Sequence, residues 1–167
     1  MAICAIVAAT GPVIAMATPE NTSEDISGCY LFDENIYTSS LNSYVSEGEM
    51  PLVYGLDADV FIIADRESGE ARSYTVEYSK TPVSVSEFSL KAGNAFNTGY
   101  PPPDLSHFKE RYLLAVMSDG SDPIFGLYRM NEEIWLVELR SEEIWSICRL
   151  ARTEDVTFAD MERALFT

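Results

Sequence analysis

The supply of histidine limits the chemistry that this sequence of 167 residues can perform. His107 is its only histidine, so zinc sites built from several histidines are excluded, and a Ser-His-Asp triad would have to use this one residue. No serine lies in a G-x-S-x-G motif. We therefore interpret His107 as an ordinary surface or helix-end histidine and predict no catalytic residue.

Cysteine chemistry depends on which of the three cysteines belong to the folded chain. Cys4 lies in an N-terminal segment that we expect to be removed, which leaves Cys29 and Cys148. An even number of cysteines in an oxidising compartment predicts a disulfide between them. The alternative is two buried free thiols. In neither case does a base lie near a cysteine in the sequence, which argues against a thiol nucleophile.

Carboxylates are abundant but unspecific. Asp57 and Asp59 have the spacing of one strand face, and Asp119 and Asp122 share a predicted turn. Either pair offers oxygen ligands to calcium, but both lack the further ligands of an EF-hand. The sequence also has no glycine-rich phosphate loop and no dinucleotide fingerprint, so we predict no metal and no cofactor.

The acidic turns form a candidate contact surface. The predicted strands place two turns at the same end of a meander, and long loops with aromatic side chains often bind partners. The candidate partner-binding residues are Asp119, Asp122, Glu142 and Glu143 of the two turns, with Phe96 and Tyr100 of a long loop.

The charge of the chain restricts its partners. It carries 27 acidic and 11 basic side chains, a formal net charge of −16. Such a field repels phosphate backbones and anionic membrane surfaces and favours basic partners. We predict no nucleic-acid binding and no stable membrane insertion after processing, and we expect a basic protein partner.

The N-terminal segment predicts export. Residues 1–17 carry no charge, are mostly small or apolar, and end in Ala15-Met16-Ala17, a small-x-small cleavage pattern. The basic residues that usually precede the apolar stretch are missing, and a buried N-terminal strand or helix is the alternative. We predict a signal peptide over 1–17, cleavage after Ala17, and a periplasmic or secreted protein.

The rest of the chain predicts one all-β domain. Residues 18–28 are predicted as a flexible lead-in and 29–167 as a single domain. Residues 59–65 and 71–79 form a predicted hairpin, and residues 112–117, 124–130, 134–140 and 144–150 are strand-like runs separated by short turns. Seven or eight antiparallel strands predict a barrel-like or strongly curved sheet, with a β-sandwich as the alternative.

Two helices and a crossover complete the predicted elements. Residues 104–111 are predicted as a short helix, and 157–166 as a C-terminal helix with a capping box from Thr157 and Asp160. Residues 92–103, with three consecutive prolines, are predicted as a crossover, because prolines do not fit inside a sheet.

These patterns favour an exported binding protein without enzymatic activity, of the inhibitor, immunity or envelope-accessory type. A lipocalin-like carrier of a small apolar ligand is the second interpretation, because Tyr74, Tyr78, Tyr128, Trp135 and Trp145 would line a hollow barrel. A carboxylate-based hydrolase is the third, and it needs two acids facing each other across a cleft.

Overall fold

The computed structural model describes residues 26–38, 52–86, 88, 103–141 and 143–166. Eight strands and one helix account for most of them. The strands are β1 (Gly28–Thr38), β2 (Leu52–Asp57), β3 (Val60–Asp65), β4 (Ala71–Pro82), β5 (Arg111–Asp119), β6 (Asp122–Met130), β7 (Glu133–Arg140) and β8 (Glu143–Thr153), and the helix is α1 (Phe158–Ala164).

The strands form a closed up-and-down barrel. Each strand pairs antiparallel with its neighbour in the chain, and β8 returns to pair with β1. The predicted hairpin is the β3–β4 pair, and the predicted meander is β5 to β8. The all-β barrel is thus confirmed, and the sandwich alternative is not the fold.

Tight turns join several strands. Ala58, Asn131 and Ser141 have positive φ angles of 44°, 54° and 53° in the turns after β2, β6 and β7, a region that few residues other than glycine and asparagine adopt readily. Asp57 therefore ends β2 and Asp59 belongs to the turn. The expectation that these two aspartates share a strand face is wrong.

The middle of the barrel is filled with side chains. Because side chains alternate between the two faces of each strand, every second side chain points into the barrel, and these residues pack into one buried cluster. Its largest members include Tyr30, Tyr54, Leu56, Phe61, Met117 and Leu127. Among the described residues, two cavities lie towards the ends of the barrel.

Two covers protect the outside of the barrel wall. Val83, Phe88, Leu105 and Phe108 precede β5 and pack on the outer side chains of β6, β7 and β8. The second cover is α1, which packs on β2 and β3. Because both covers bury apolar surface, these parts of the sheet are apolar on both faces.

The cap and the packing of α1 follow from two local features. The predicted capping box is present, with Thr157 and Asp160 exchanging hydrogen bonds. A Cβ atom on Gly55 would lie 2.6 Å from the Met161 sulfur, so glycine lets the helix approach β2 closely. Among the described residues, no helix has the length and apolar composition needed to cross a membrane.

Residues 104–111 do not form the predicted helix. Residues 104–110 are turns and irregular backbone, and Arg111 begins β5. The Asp104 side chain accepts a hydrogen bond of 2.8 Å from the Ser106 N–H, and such local bonds compete with helix formation. Leu105 and Phe108 are then buried on the outer wall, which fixes the segment as a cover.

The predicted disulfide between Cys29 and Cys148 is wrong, because both residues are free thiols. The β1–β8 ladder does pair the first and last strands, but it places Cys29 opposite Thr153 and Cys148 opposite Asn35. Five residues of β8 separate the two positions, about 16 Å at ~3.3 Å per residue, whereas bridged Cα atoms lie within about 7 Å. Cys29 also packs under α1 outside the wall, while Cys148 faces the interior.

Candidate functional site

The barrel has two ends with different connections. The β3–β4, β5–β6 and β7–β8 turns lie at one end, which we call the upper end. The β2–β3 and β6–β7 turns lie at the other, the lower end, together with Ile26. Antiparallel pairing requires this alternation, so every hairpin contributes its turn to a known end.

The upper end contains a cavity of about 200 Å³ inside the wall, which we call the cup. It lies above the filled middle of the barrel. Its apolar lining consists of Phe32, Leu52, Ile63, Phe125 and Leu136. Its polar lining consists of Asn35, Tyr54, Glu138, Ser146 and Cys148. The cup thus combines apolar walls with a few polar groups, as ligand pockets usually do.

Glu138 is the carboxylate of the cup. The β7 alternation that turns Ile134 and Leu136 inward also turns Glu138 inward, where its side chain keeps 29% of its exposure. Its Oε2 accepts a hydrogen bond of 3.1 Å from Ser146 Oγ. Its Oε1 accepts two bonds of 3.1 Å from the Arg140 guanidinium. Arg140 is itself 57% exposed and stacks on the Trp145 ring at 3.9 Å from the centroid.

Tyr54 and Cys148 form a neutral pair beside this carboxylate. Burial raises the pKa of the Cys148 thiol to about 12, and the Glu138 charge adds to this effect. The pKa of Tyr54 is also raised, mainly by burial and then by its contact with Cys148. Both groups stay protonated at neutral pH, so Cys148 is a poor nucleophile.

Aromatic rings form the floor and one side of the upper end. Tyr74 and Phe125 meet edge to face at 5.2 Å between ring centroids, and Phe61 lies 6.0 Å from Phe125. A second depression of about 270 Å³ adjoins the cup and shares Leu52 and Ile63 with it. These rings present polarisable apolar surface next to charged groups.

The lower end has a pocket of about 450 Å³ with a different lining. Arg129, Arg149 and Arg152 all line it, and the protein's own acceptors engage them. Arg149 forms ion pairs with Asp33, Glu34 and Glu133. Arg152 donates to the Ser27 carbonyl, and Arg129 also has a partner.

The predicted acidic turns lie at the upper end. Asp119 and Asp122 flank the β5–β6 turn and are exposed, and Glu143 begins β8 at the same end of the barrel. The remaining three candidate residues, Glu142, Phe96 and Tyr100, lie outside the described residues. The topology thus brings Asp119, Asp122 and Glu143 to the end that holds the cup, and whether they bind a partner stays a prediction.

Sequence reasoning missed the polar lining of the cup. Glu138 carries a usable signal, because a charged residue continues the inward alternation of Ile134 and Leu136 on β7. Asn35 has no such signal in the sequence. The β1–β8 ladder shifts register between Phe32 and Glu34, and a bulge of this kind changes the direction of the side chains that follow it.

The described histidine, cysteine and acidic side chains outside the cup do not form a second chemical site. His107 is exposed and its ring lies 4.0 Å from that of Phe108. Within the described part of the chain, no group of three or more histidine, cysteine or acidic side chains is arranged to hold a metal ion. Glu138 is the one carboxylate among the described residues that line the cup.

The comparisons with known proteins add no family: no family model, no curated protein and no solved structure matches the chain.

Proposed function

We propose that this protein is an exported, non-enzymatic binding protein that contacts a basic protein partner through the upper end of its barrel. The observation that carries the proposal is the charge of the turns and strand ends at this end. Among the described residues, Asp65, Glu67, Glu70, Asp119, Asp122 and Glu143 lie there with Arg66, Arg72 and Arg140, two acids for each base. Such a surface steers basic partners towards it.

One of these carboxylates is held firmly ionised. Asp65 Oδ1 accepts bonds of 2.8 and 3.2 Å from the N–H groups of Glu67 and Ser68. These backbone bonds lower the pKa of Asp65 below its ordinary value. The negative charge of the β3–β4 turn therefore persists well below neutral pH.

Paired turn variants test the proposal. We would compare the tagged protein with a D119N/D122N variant and with a D57N/D59N control, since both pairs of exposed aspartates sit at tight turns on opposite ends. Envelope extract is passed over each protein at low and moderate salt. Moderate salt shortens the screening length to about 10 Å, so an electrostatic partner should be retained at low salt only.

The expected result is a partner that the wild type and the D57N/D59N control retain and the D119N/D122N variant loses. Equal retention by both variants, or no salt-dependent partner for the wild type, would contradict binding through the upper end.

The cup favours a second candidate function, a carrier of a small ligand. Its cavity is smaller than the ~300 Å³ at which ordinary small-molecule pockets begin, and its walls are largely apolar. A carrier role therefore applies to small molecules rather than to the long lipids that a hollow barrel would accept. Binding of any small probe at the cup, seen as shifted backbone amide signals of β7 and β8, is the expected result, and unshifted signals would contradict this role.

The export part of the proposal rests on residues 1–17, which lie outside the described residues. Two free thiols suit an oxidising compartment only if they react slowly, and burial raises the pKa of both Cys29 and Cys148. Mass spectrometry of the protein from its native host should find Thr18 at the N-terminus. A chain that still begins at Met1 would contradict cleavage after Ala17.

A further inference from the structure

The electrostatics of the cup restrict what it can hold. Tyr54 and Cys148 are protonated at neutral pH, so Glu138 supplies the negative charge of the lining. An anionic ligand beside Glu138 would meet like charge, and a purely apolar one would remove water from a carboxylate without replacing its hydrogen bonds. A donor cation that takes the place of Arg140 keeps that carboxylate paired, so the charge complement is positive.

The walls and the volume restrict the ligand further. Phe125 and Tyr54 line the cavity, and aromatic rings attract organic cations. The cavity of about 200 Å³ corresponds to about seven water molecules at ~30 Å³ each. The ligand therefore has the size of one amino-acid side chain.

We propose that the cup binds a small organic cation, an amine or guanidinium on an apolar body, with the cationic group on Glu138. This inference rests on the proposal that the upper end is a binding surface, and it names the chemistry bound there. The same chemistry has two sources, a free amine or a lysine or arginine side chain of a basic protein.

Arg140 gives the site an internal competitor. Without ligand, the Arg140 guanidinium donates both of its bonds to Glu138 Oε1. Because this arginine is more than half exposed, its ion pair with Glu138 is weak and can open, although its contact with the Trp145 ring opposes the movement. An entering cation then takes over the carboxylate.

Three isosteric probes test the charge preference. Titration calorimetry at low salt would compare 2-phenylethylamine, 2-phenylethanol and phenylacetate, which differ in charge but little in shape. A blocked peptide with a single arginine between glycines represents the protein source. We expect either cation to bind about tenfold tighter than the alcohol and the acid to bind weakest. Whichever of the amine and the arginine peptide binds more tightly shows whether the ligand is a free amine or a side chain of a basic protein.

Two cup variants should shift the affinity in opposite directions. E138Q keeps the shape and should remove the preference for the cation, whereas R140Q removes the competitor and should tighten cation binding severalfold. E132Q, in the lower-end pocket, is the matched control and should leave the preference unchanged. A merely structural role for Glu138 predicts that E138Q and R140Q weaken binding alike, and thermal unfolding of each variant would identify misfolding.

The outcomes separate this inference from the proposals before it. If the alcohol or the acid binds as tightly as the amine, the cation inference is overturned while a carrier role stands. If no probe binds at millimolar concentration, the inference and the carrier role both fail. The partner proposal is still decided by the retention of D119N/D122N.

Discussion

The two ends of this barrel are built from the same kind of hairpin and closed in different ways. At the lower end Ile26 is almost fully buried in the interior cluster, and the Tyr30 hydroxyl donates a 2.6 Å hydrogen bond to its carbonyl. At the upper end the described side chains surround the cavity that we call the cup. A small barrel can therefore keep a stable core and cavities at its ends at once, because side chains fill its middle.

The charges differ as well. Turns at both ends carry carboxylates, with Asp57, Asp59, Glu132 and Glu133 at the lower end, but the lower end also places three arginines in its pocket, and the protein's own acceptors engage Arg149 and Arg152. A surface with an unbalanced charge attracts an oppositely charged partner at long range. This contrast is the reason for assigning binding to the upper end.

Truncation of one apolar side chain at each end should give the largest difference. Ile26→Ala removes fully buried atoms and should lower the free energy of unfolding by about 2–4 kcal/mol. Leu52→Ala, beside the open cup, should cost about 1 kcal/mol, because its side chain is only partly buried. Urea unfolding of both variants measures the difference, and equal losses would contradict the deeper burial of Ile26.

Alkaline pH should act on the upper end. The pKa of Cys148 is about 12 in the folded protein against an ordinary value of 9.0, so between these values the unfolded chain binds fewer protons and stability falls as pH rises. The raised pKa of Tyr54 acts in the same direction above pH 10.

Cys148→Ser removes the thiol titration and should flatten this loss. The measurement is urea unfolding at pH 7, 9 and 10.5 for the wild type and the variant. Parallel pH curves for the two proteins would show that the thiol is not buried as described.

Single hydrogen bonds should show the same contrast on a smaller scale. Tyr30→Phe deletes the buried bond to Ile26 and should cost about 1 kcal/mol. Ser146→Ala deletes a partly exposed bond to Glu138 and should cost less than about 0.5 kcal/mol, because water can replace the hydroxyl. Thermal unfolding compares them, and a larger loss for Ser146→Ala would reverse the assignment of the two ends.

Ion pairs should give the smallest effects. Arg149→Gln breaks contacts with Asp33, Glu34 and Glu133 and should cost up to about 1 kcal/mol at low salt, and Arg140→Gln less, since its side chain is more exposed. Added salt should reduce both losses. Unfolding at two salt concentrations tests this, and a loss that salt leaves unchanged would indicate packing rather than charge.

The sequence predicted those parts of the molecule that depend on local pattern. Alternation along β4 was sufficient for the hairpin, strand-like runs with short turns were sufficient for the meander, and the Thr157 capping box marked the start of α1. β2 was not identified, and it contains a glycine whose role is to admit α1.

The failures involve relations between distant strands. The number of cysteines predicted a bridge between Cys29 and Cys148. Their separation depends on the register of β1 on β8 and on the face of the sheet that each side chain occupies, and these place the two thiols on opposite sides of the wall. The cup was missed for the same reason, because its polar lining comes from four strands, one of them re-aimed by a bulge. No local pattern contains such information.

The ladder between β1 and β8 also has a consequence for the order of folding. Seven of the eight ladders join strands that follow one another in the chain, but this one joins Cys29 to Thr153, almost the whole described chain apart. Contacts of such long sequence separation form late, because the loop-closure entropy must be lost first. During synthesis the last strand is also the last to leave the ribosome, so until then β1 has an unpaired edge that other chains could bind. The period before closure is therefore when this protein is most exposed to aggregation.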